Sequence, residues 1–380
     1  MRRTQVFMLK GIKAVMAFAV LSLVMIACQK ENSLSNELNE EQSLLRNAQE
    51  IQESTAANIQ RQGNSTGFTA ADATIGGRKA TQNIAEIAIG NPNFSALVAA
   101  VVKTGLVGAV SDASASLTVF APTDAAFAQL AAPFNTAENI AAINDVTQID
   151  FLRNVLLYHV VGQEILSPKV PVGRTALPTL KPQVNGNDNT IYVSKAFNVI
   201  KVNGQTEVIM ANVDATNGVI HVINDVLLPP TATIAAVATA PNAPFTSLVA
   251  ALVKTDLVGV FAGEGNFTVF APTDDAFAKL PAPFNNAANI GAITDAAQIT
   301  ALSNILRYHV LGERYFGWDF GVLNKQTTLA DAPKNQVRTI IGMPVGFVKG
   351  NANAKYSKVE PGDILCTNGV IHVIGDVLLP

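Results

Sequence analysis

The chain contains two copies of one long segment, and this repeat constrains its architecture more than any other feature of the sequence. His159 recurs as His309 and His221 recurs as His372, at intervals of 150 and 151 residues. The shared blocks are LTVFAPTDAAFAQL at 117–130 with FTVFAPTDDAFAKL at 267–280, VLLYHV at 155–160 with ILRYHV at 305–310, and NGVIHVINDVLLP at 217–229 with NGVIHVIGDVLLP at 368–380. This period is far longer than a solenoid unit, so each copy is predicted to be a whole domain with its own core.

A targeting signal precedes the copies. Positive charges up to Lys13 are followed by the apolar run AVMAFAVLSLVMIA at 14–27, and Cys28 comes next. The run is short for a membrane span and is typical of a secretory signal. Ala27 before Cys28 resembles the bacterial lipobox, so residues 1–27 are predicted to be a lipoprotein signal peptide and Cys28 the lipidated residue. The alternative is a plain signal peptide that happens to contain a cysteine.

The segment between the signal and the copies is polar. Much of residues 28–79 is rich in Gln, Asn, Glu and Ser, which predicts a flexible tether behind the lipidated cysteine. Its start, QKE at 29–31, resembles the signal that sends lipoproteins of the Bacteroidetes group to the cell surface. We therefore expect a secreted chain that is lipid-anchored to a bacterial outer membrane and faces outward. The copies are predicted to occupy residues 80–230 and 231–380.

Composition excludes some functions. Hydrophobic residues make up 49% of the chain and charged residues 14%, and the net charge is -3. Such a chain builds well-buried cores, but it lacks the concentrated positive field of a nucleic-acid binder. A nucleic-acid partner is therefore not expected.

Within each copy, helical patterns come first and strand patterns follow. Residues 94–110 carry apolar side chains at helical spacing, and Gly105 and Gly108 are predicted to end that segment. Asn-Gly pairs at 203–204 and 217–218 lie between β-rich runs and predict hairpins. The fold class is therefore α+β, with helices packed on an antiparallel sheet or sandwich.

The three repeated blocks resemble the fasciclin (FAS1) family. TVFAPTD-x-AF is similar to its first conserved segment, YHV to its central Tyr-His motif, and NGVIHVI-x-DVLLP to its closing segment. The resemblance implies two tandem FAS1 domains, each a wedge-shaped β-sandwich flanked by helices, on an adhesion or matrix protein without a catalytic centre. It also implies that the surroundings of Tyr158-His159 and Tyr308-His309 bind partners.

The histidines allow two interpretations. His159 and His221 could hold a metal together with Asp225, but no second ligand stands at a usual short spacing. Buried imidazoles with satisfied hydrogen bonds fit the apolar runs better. No metal, cofactor or catalytic residue is predicted. Asp124 and Asp274 follow Ala-Pro-Thr and are interpreted as helix-capping groups.

The copies differ most after the Tyr-His motif, where the second copy has an aromatic cluster. Aromatic platforms flanked by charges are common at glycan and peptide sites, whereas the alternative is that these rings fill a local core. The candidate partner-binding residues of this segment are Arg314, Tyr315, Phe316, Trp318, Asp319 and Phe320.

Three functions follow from these patterns. The first is adhesion at the cell surface to an extracellular matrix or surface protein or to a polysaccharide. The second is an accessory role in glycan capture beside an outer-membrane uptake system, which requires the aromatic segment to be exposed. The third, an envelope enzyme, lacks any constellation of catalytic residues.

Cys366 is interpreted as a small, reduced, semi-buried thiol.

Overall fold

The computed structural model describes residues 80–196, 199–321, 324–340, 346–360 and 362–380. Residues 80–230 are called repeat 1 below, and residues 231–380 repeat 2. The α-helices of repeat 1 are α1 (Ile84–Gly90), α2 (Ser95–Lys103), α3 (Val107–Ser111), α4 (Asp124–Phe127), α5 (Ala137–Ala141) and α6 (Val146–Tyr158). Those of repeat 2 are α7 (Ile234–Ala238), α8 (Thr246–Lys254), α9 (Val258–Ala262), α10 (Asp274–Ala278), α11 (Ala287–Gly291) and α12 (Ala296–Tyr308). Short 3-10 turns span Pro92–Phe94, Ser167–Lys169 and Gly317–Phe320.

The strands are mostly antiparallel in both repeats. Those of repeat 1 are β1 (Leu117–Pro122), β2 (Val160–Val161), β3 (Gly173–Pro178), β4 (Thr190–Ala196), β5 (Val199–Val202), β6 (Thr206–Ala215) and β7 (Gly218–Ile223). They form one sheet in the order β2-β1-β7-β6-β5-β4-β3. Those of repeat 2 are β8 (Phe267–Pro272), β9 (Val310–Leu311), β10 (Asn324–Thr327), β11 (Gln336–Ile340), β12 (Phe347–Lys349), β13 (Ser357–Lys358), β14 (Ile364–Cys366) and β15 (Gly369–Ile374). They form the sheets β14-β15-β8-β9 and β10-β11-β12-β13. In each repeat the first and last strands pair in parallel, as β1 with β7 and β8 with β15.

Each repeat has two hydrophobic cores, one on each face of its central strands. On β1, Val119 and Ala121 pack with the helices, whereas Phe120 packs with β3, β4 and β5. A helix-on-sheet layer and a sandwich layer therefore share one set of strands, which agrees with the predicted α+β class. Because both faces are covered, all six residues of β7 are buried.

The turn predictions are confirmed for the strands. Asn203-Gly204 joins β5 to β6 with both residues at positive φ, as a tight hairpin turn requires, and β6 turns into β7 at Asn217. Gly105, at φ 72, lies just after the end of α2. Gly108 lies inside α3, so the prediction that it ends the helical segment was wrong.

The helices are short. Among the described residues no single helix is long and apolar enough to cross a membrane; α1 and residues 92–103 together have the length and composition, but they are bent by 104°.

Candidate functional site at the Tyr-His motifs and the repeat interface

Both Tyr-His motifs lie at the end of the longest helix of their repeat. The Tyr158 hydroxyl donates to the Thr190 carbonyl oxygen at 2.8 Å, and the Tyr308 hydroxyl donates to that of Gln336 at 2.5 Å. Both tyrosine rings are completely buried. Each ring therefore ties its helix to the sandwich layer, and neither is presented to a partner directly.

The histidine of each motif is a buried, fully bonded imidazole. His159 Nδ1 lies 2.7 Å from the Val155 carbonyl oxygen, and its Nε2 accepts the Leu227 N–H at 2.9 Å. His309 makes the equivalent pair of bonds, with Leu378 as the donor. Burial lowers the pKa of both rings to about 4, although the backbone bond acts in the opposite direction. The rings are therefore neutral and fix the chain that follows the last strand.

The other two histidines use the opposite ring nitrogens. His221 Nε2 lies 2.8 Å from the Ile165 carbonyl oxygen and its Nδ1 accepts the Asn212 N–H. His372 Nε2 lies 2.8 Å from the Tyr315 carbonyl oxygen. In the described part of the chain, no group of three or more His, Cys, Asp or Glu side chains could hold a metal ion. The hydrogen bonds therefore agree with the interpretation of these residues as buried histidines whose ring nitrogens all have partners.

The aromatic segment of repeat 2 is buried, which corrects the expectation that it could be an exposed platform. Phe316, Trp318 and Phe320 are each at most 5% exposed. Phe320 stacks on Phe270 at 5.8 Å and belongs to the sandwich core of repeat 2, as the local-core alternative predicted. Phe316 contacts Tyr192 of repeat 1, and the 3-10 turn Gly317–Phe320 packs against β4 of that repeat. This burial is favourable because contact with the neighbouring repeat removes apolar surface of the segment from water.

Arg314 is the central polar residue of this interface between the repeats. It is completely buried, and its guanidinium donates to Asn266 Oδ1 at 2.8 Å and to the Cys366 carbonyl oxygen at 3.0 Å. The guanidinium carbon also lies over the Tyr192 ring of repeat 1, 4.7 Å from its centroid. Burial lowers the pKa of Arg314, and the neighbouring Tyr192 opposes that shift. The buried cation is thus compensated by carbonyl dipoles and an aromatic face.

Repeat 1 contributes a matching set of side chains that no local sequence pattern indicated. Arg174 lies over the Tyr315 ring at 4.7 Å, and its nitrogens are 3.7 and 3.8 Å from the carboxylates of Glu313 and Asp319. The Tyr192 ring packs against that of Phe316 at 5.6 Å. Only the divergence of the two copies after the Tyr-His motif signalled a special role here. The segment predicted to bind partners joins the two repeats instead.

Gly204 of repeat 1 and the buried Asp363 of repeat 2 lie in close contact at the interface. Asp363 Oδ1 accepts the Gly317 N–H at 2.7 Å, and a Cβ added at Gly204 of repeat 1 would lie 2.6 Å from the Asp363 carboxyl carbon. Burial raises the pKa of Asp363 to about 7, against the bond from Gly317 and the charge of Lys201. The repeats therefore meet too closely at this point for any larger side chain at Gly204.

The two aspartates after Ala-Pro-Thr do cap a helix, but a different one from the helix they begin. Thr123 caps α4 through the Ala126 N–H, whereas the Asp124 carboxylate accepts from the N–H and hydroxyl of Ser95 and from the Ala96 N–H at the start of α2. Asp274 does the same for α8. Burial acts to raise the pKa of Asp274, but the bonds from Ser247 and Thr246 outweigh it and the pKa is lowered. These carboxylates are structural.

Replacement of Asp274 by alanine is expected to lower the unfolding free energy of repeat 2 by about 2 kcal/mol, because three donors at the start of α8 lose a charged acceptor. Asp275, exposed on the same turn, is the matched control, and Asp275→Ala should change stability by less than about 0.5 kcal/mol. Urea unfolding followed by fluorescence measures both. Equal effects of the two variants would contradict the assignment.

Cys366 is more buried than the sequence suggested. It is 0% exposed, and burial raises the pKa of its thiol to about 12 in spite of the nearby Arg314. The thiol is therefore protonated and unreactive at neutral pH. Cys28, predicted to carry the lipid, lies outside the described residues.

A leucine next to each Tyr-His motif is exposed at the same place in both repeats. The Leu180 N–H donates to the Val160 carbonyl oxygen and the Leu329 N–H donates to that of Val310, each at 2.8 Å. Val160 and Val310 directly follow the motif histidines. The two leucines are 44% and 42% exposed. The residue after each buried motif thus holds a bend that presents one apolar side chain to solvent, which is a feature that sequence periodicity did not single out.

Comparison with known proteins agrees with the division of the chain into two copies of one domain. The fasciclin domain family model matches residues 92–229 and 243–380, which is more than half of the chain. Protein sll1483 of Synechocystis sp. is 44% identical over 147 residues, covering 39% of this chain and 73% of that protein. Transforming growth factor-beta-induced protein ig-h3 of Sus scrofa is 29% identical over 266 residues, covering 70% of this chain and 35% of that protein. The chain therefore matches about a third of the length of ig-h3.

A solved structure is also similar. A FAS1 domain pair from the insect cell adhesion molecule fasciclin I is 20% identical, with a TM-score of 0.34, and the likeness covers 70% of this chain and 89% of that one. Two family matches, one on each repeat, show that this chain belongs to the fasciclin (FAS1) family as a tandem two-domain member.

Proposed function

We propose that this chain is a non-enzymatic adhesion protein, anchored through Cys28 to a bacterial outer membrane, that binds an extracellular matrix or surface protein through equivalent surfaces on its two repeats. The observation that carries the proposal is the pair of exposed leucines, Leu180 and Leu329, held beside the Tyr-His motifs by the same backbone bond. A solvent-exposed apolar side chain on a rigid support gains free energy when a partner covers it, and little rearrangement is needed for binding.

Two copies on one chain suit adhesion. When one repeat has bound, the second faces its partner at a high effective concentration, so weak contacts combine into firm attachment. The interface around Arg314 and Tyr192 supports this proposal, because it fixes the spacing of the two surfaces. The similarity to ig-h3 and to periostin of Homo sapiens supports an extracellular binding role.

The burial of the aromatic segment weighs against glycan capture as the alternative. That function depended on an exposed platform at residues 315–320, and Phe316, Trp318 and Phe320 are covered. A protein partner is therefore favoured over a polysaccharide. The absence of a paired nucleophile and base among the described candidate residues gives the enzyme hypothesis no support either: the histidines are bonded to the backbone and the thiol of Cys366 is protonated.

The proposal is tested on cells that display the chain. Intact cells are first treated with an added protease, and loss of the full-length band beside an intact periplasmic control protein is expected. Attachment to immobilised matrix proteins is then compared for the wild type, Leu180→Asp, Leu329→Asp and the double variant. We expect each single change to weaken attachment by about tenfold and the double change to abolish it, because a charge replaces an apolar anchor in each site.

Two results would overturn the proposal. Protection of the chain until the cells are broken would exclude external partners. Unchanged attachment of the double variant at normal surface amounts would exclude the leucine surfaces. The matched control is Val146→Asp, which places the same charge at an apolar residue that is 70% exposed on α6, and it should attach like the wild type.

A further inference from the structure

Repeat 1 contains an apolar cavity whose lining includes Leu180, the exposed leucine of the adhesion proposal. The cavity lies beneath α1, α2 and α3, against β1 and α6, and has an empty volume of about 820 Å³ counted out to its open mouth. Side chains from all of these elements line it, among them Ala88, Leu97, Val101, Val110, Leu117 and Leu156. This volume includes the solvent-filled mouth, so the site is an apolar groove that opens to the surface rather than an enclosed pocket.

The lining offers nothing to a polar ligand. His159 contributes the one polar side chain among the lining residues, and both of its ring nitrogens already bond to backbone groups. A peptide segment placed here would leave its own N–H and C=O groups without partners, at a cost of several kcal/mol each in an apolar site. Water is disfavoured for the same reason. The interior therefore selects an occupant that has no polar atoms.

Repeat 2 shows that the fold does not require this cavity. The Asn217 side chain donates to the Val110 carbonyl oxygen and the Asn368 side chain donates to that of Phe261, so Val110 and Phe261 occupy equivalent places. Leu117, the first residue of β1, likewise corresponds to Phe267. In repeat 2 these two rings meet edge to face at 6.0 Å. The corresponding cavity of repeat 2 is smaller, about 450 Å³.

The mouth of the cavity continues the apolar lining to the surface. Ile89 and Val102 line the cavity and are 68% and 62% exposed, and Val107 is exposed beside them. In repeat 2 the residue at the place of Ile89 is Thr239. Solvated aliphatic side chains around an aliphatic cavity extend the same apolar path outward, and exposed apolar groups arranged in this way mark binding sites.

From these observations we propose that repeat 1 binds one hydrocarbon chain of a lipid, with the chain in the cavity and the polar head in solvent at the rim formed by Ile89, Val102 and Val107. A hydrocarbon chain needs no hydrogen bonds, can lie along an apolar groove that opens to solvent, and gains free energy from every methylene that leaves water. Repeat 2, filled by Phe261 and Phe267, binds no such chain at the equivalent place.

The test uses the full chain with Cys28→Ser, so that no acyl group of its own competes, and cis-parinaric acid as a fluorescent fatty-acid probe. We expect one probe molecule to bind per chain. Val110→Phe with Leu117→Phe installs the residues of repeat 2, and we expect the affinity to fall at least about tenfold while the unfolding temperature rises or stays unchanged, because the cavity is filled. If the double variant fails to fold, Val110→Phe alone serves the same purpose.

The control variant is Val146→Phe, which adds a ring on the exposed face of α6 outside the cavity and should leave probe binding unchanged. The reverse exchange in repeat 2, Phe261→Val with Phe267→Leu, should raise the stoichiometry toward two. Absence of probe binding by the wild type would overturn the proposal, as would binding that survives filling of the cavity in a folded variant.

Discussion

Lowering the pH from 6.5 to 4 is expected to remove several kcal/mol of the unfolding free energy of this protein. His159, His309 and His372 are buried as neutral rings, and burial lowers the pKa of each from 6.5 to about 4. Between these values the unfolded chain binds more protons than the folded one, so stability falls as the pH falls. Each ring contributes roughly 3 kcal/mol over that window, at about 1.4 kcal/mol per pH unit.

The buried carboxyls of Asp225, Asp319 and Asp363 act in the opposite direction, because burial raises the pKa of each. Burial raises the pKa of Asp363 from 3.8 to about 7, so between pH 7 and 3.8 the folded chain holds a proton that the unfolded chain has lost. This group therefore favours folding as the pH falls, and the net loss is expected to be on the order of 3–6 kcal/mol. Asp363→Asn removes the opposing contribution of Asp363, so the unfolding free energy should fall more steeply as the pH is lowered.

Urea unfolding at pH 6.5, 5.5 and 4.5 measures this dependence for the wild type and Asp363→Asn. Nitrogen NMR of the imidazoles provides a second check: the partners require the Nδ1–H tautomer for His159 and His309 and the Nε2–H tautomer for His221 and His372. A flat stability profile over this range, or charged imidazole signals at pH 5.5, would contradict the prediction.

Replacement of Arg314 by methionine is expected to cost about 3 kcal/mol, because Asn266 Oδ1 and the Cys366 carbonyl oxygen lose a charged donor while they remain buried. Methionine keeps much of the stem volume, so the change reports the lost bonds more than a cavity. The loss of the contact with Tyr192 should also loosen the repeats, and limited proteolysis should then cut between them sooner.

Arg307→Met is the matched control for this change. Arg307 is exposed, and its ion pair with Asp331 at 3.8 Å is exposed as well. Pairs of that kind contribute little, so the control is expected to lie within about 0.5 kcal/mol of the wild type. A loss for Arg314→Met no larger than that of the control would show that the buried guanidinium does not hold the interface.

The local features of the site were well within reach of sequence reasoning. Asn203-Gly204 favours a turn with both residues at positive φ, and the position of Asp274 after Ala-Pro-Thr marks a helix start. The apolar surroundings of His221 predicted a buried ring, and the structure places it so. These inferences depend on neighbours in the chain, and such neighbours are visible in the sequence.

What the aromatic segment contacts could not be read in the same way. A cluster of Phe, Trp and Tyr beside charges has the same composition whether it meets a ligand, its own core or a neighbouring repeat. Phe320 faces the core of repeat 2, whereas Phe316 meets Tyr192, which lies more than a hundred residues earlier in the chain. Burial is decided by such distant partners, which no local pattern encodes.

The sequence by itself determined the tandem architecture, the α+β class, the family and the buried state of the histidines, since repeated blocks and local periodicity carry that information. The tertiary structure decided which helix Asp124 caps, how the repeats join through Arg314 and Tyr192, and that repeat 1 holds a cavity which Phe261 and Phe267 reduce in repeat 2. The physical reason is that packing and solvent exclusion depend on residues brought together across the chain, and on the space left between them.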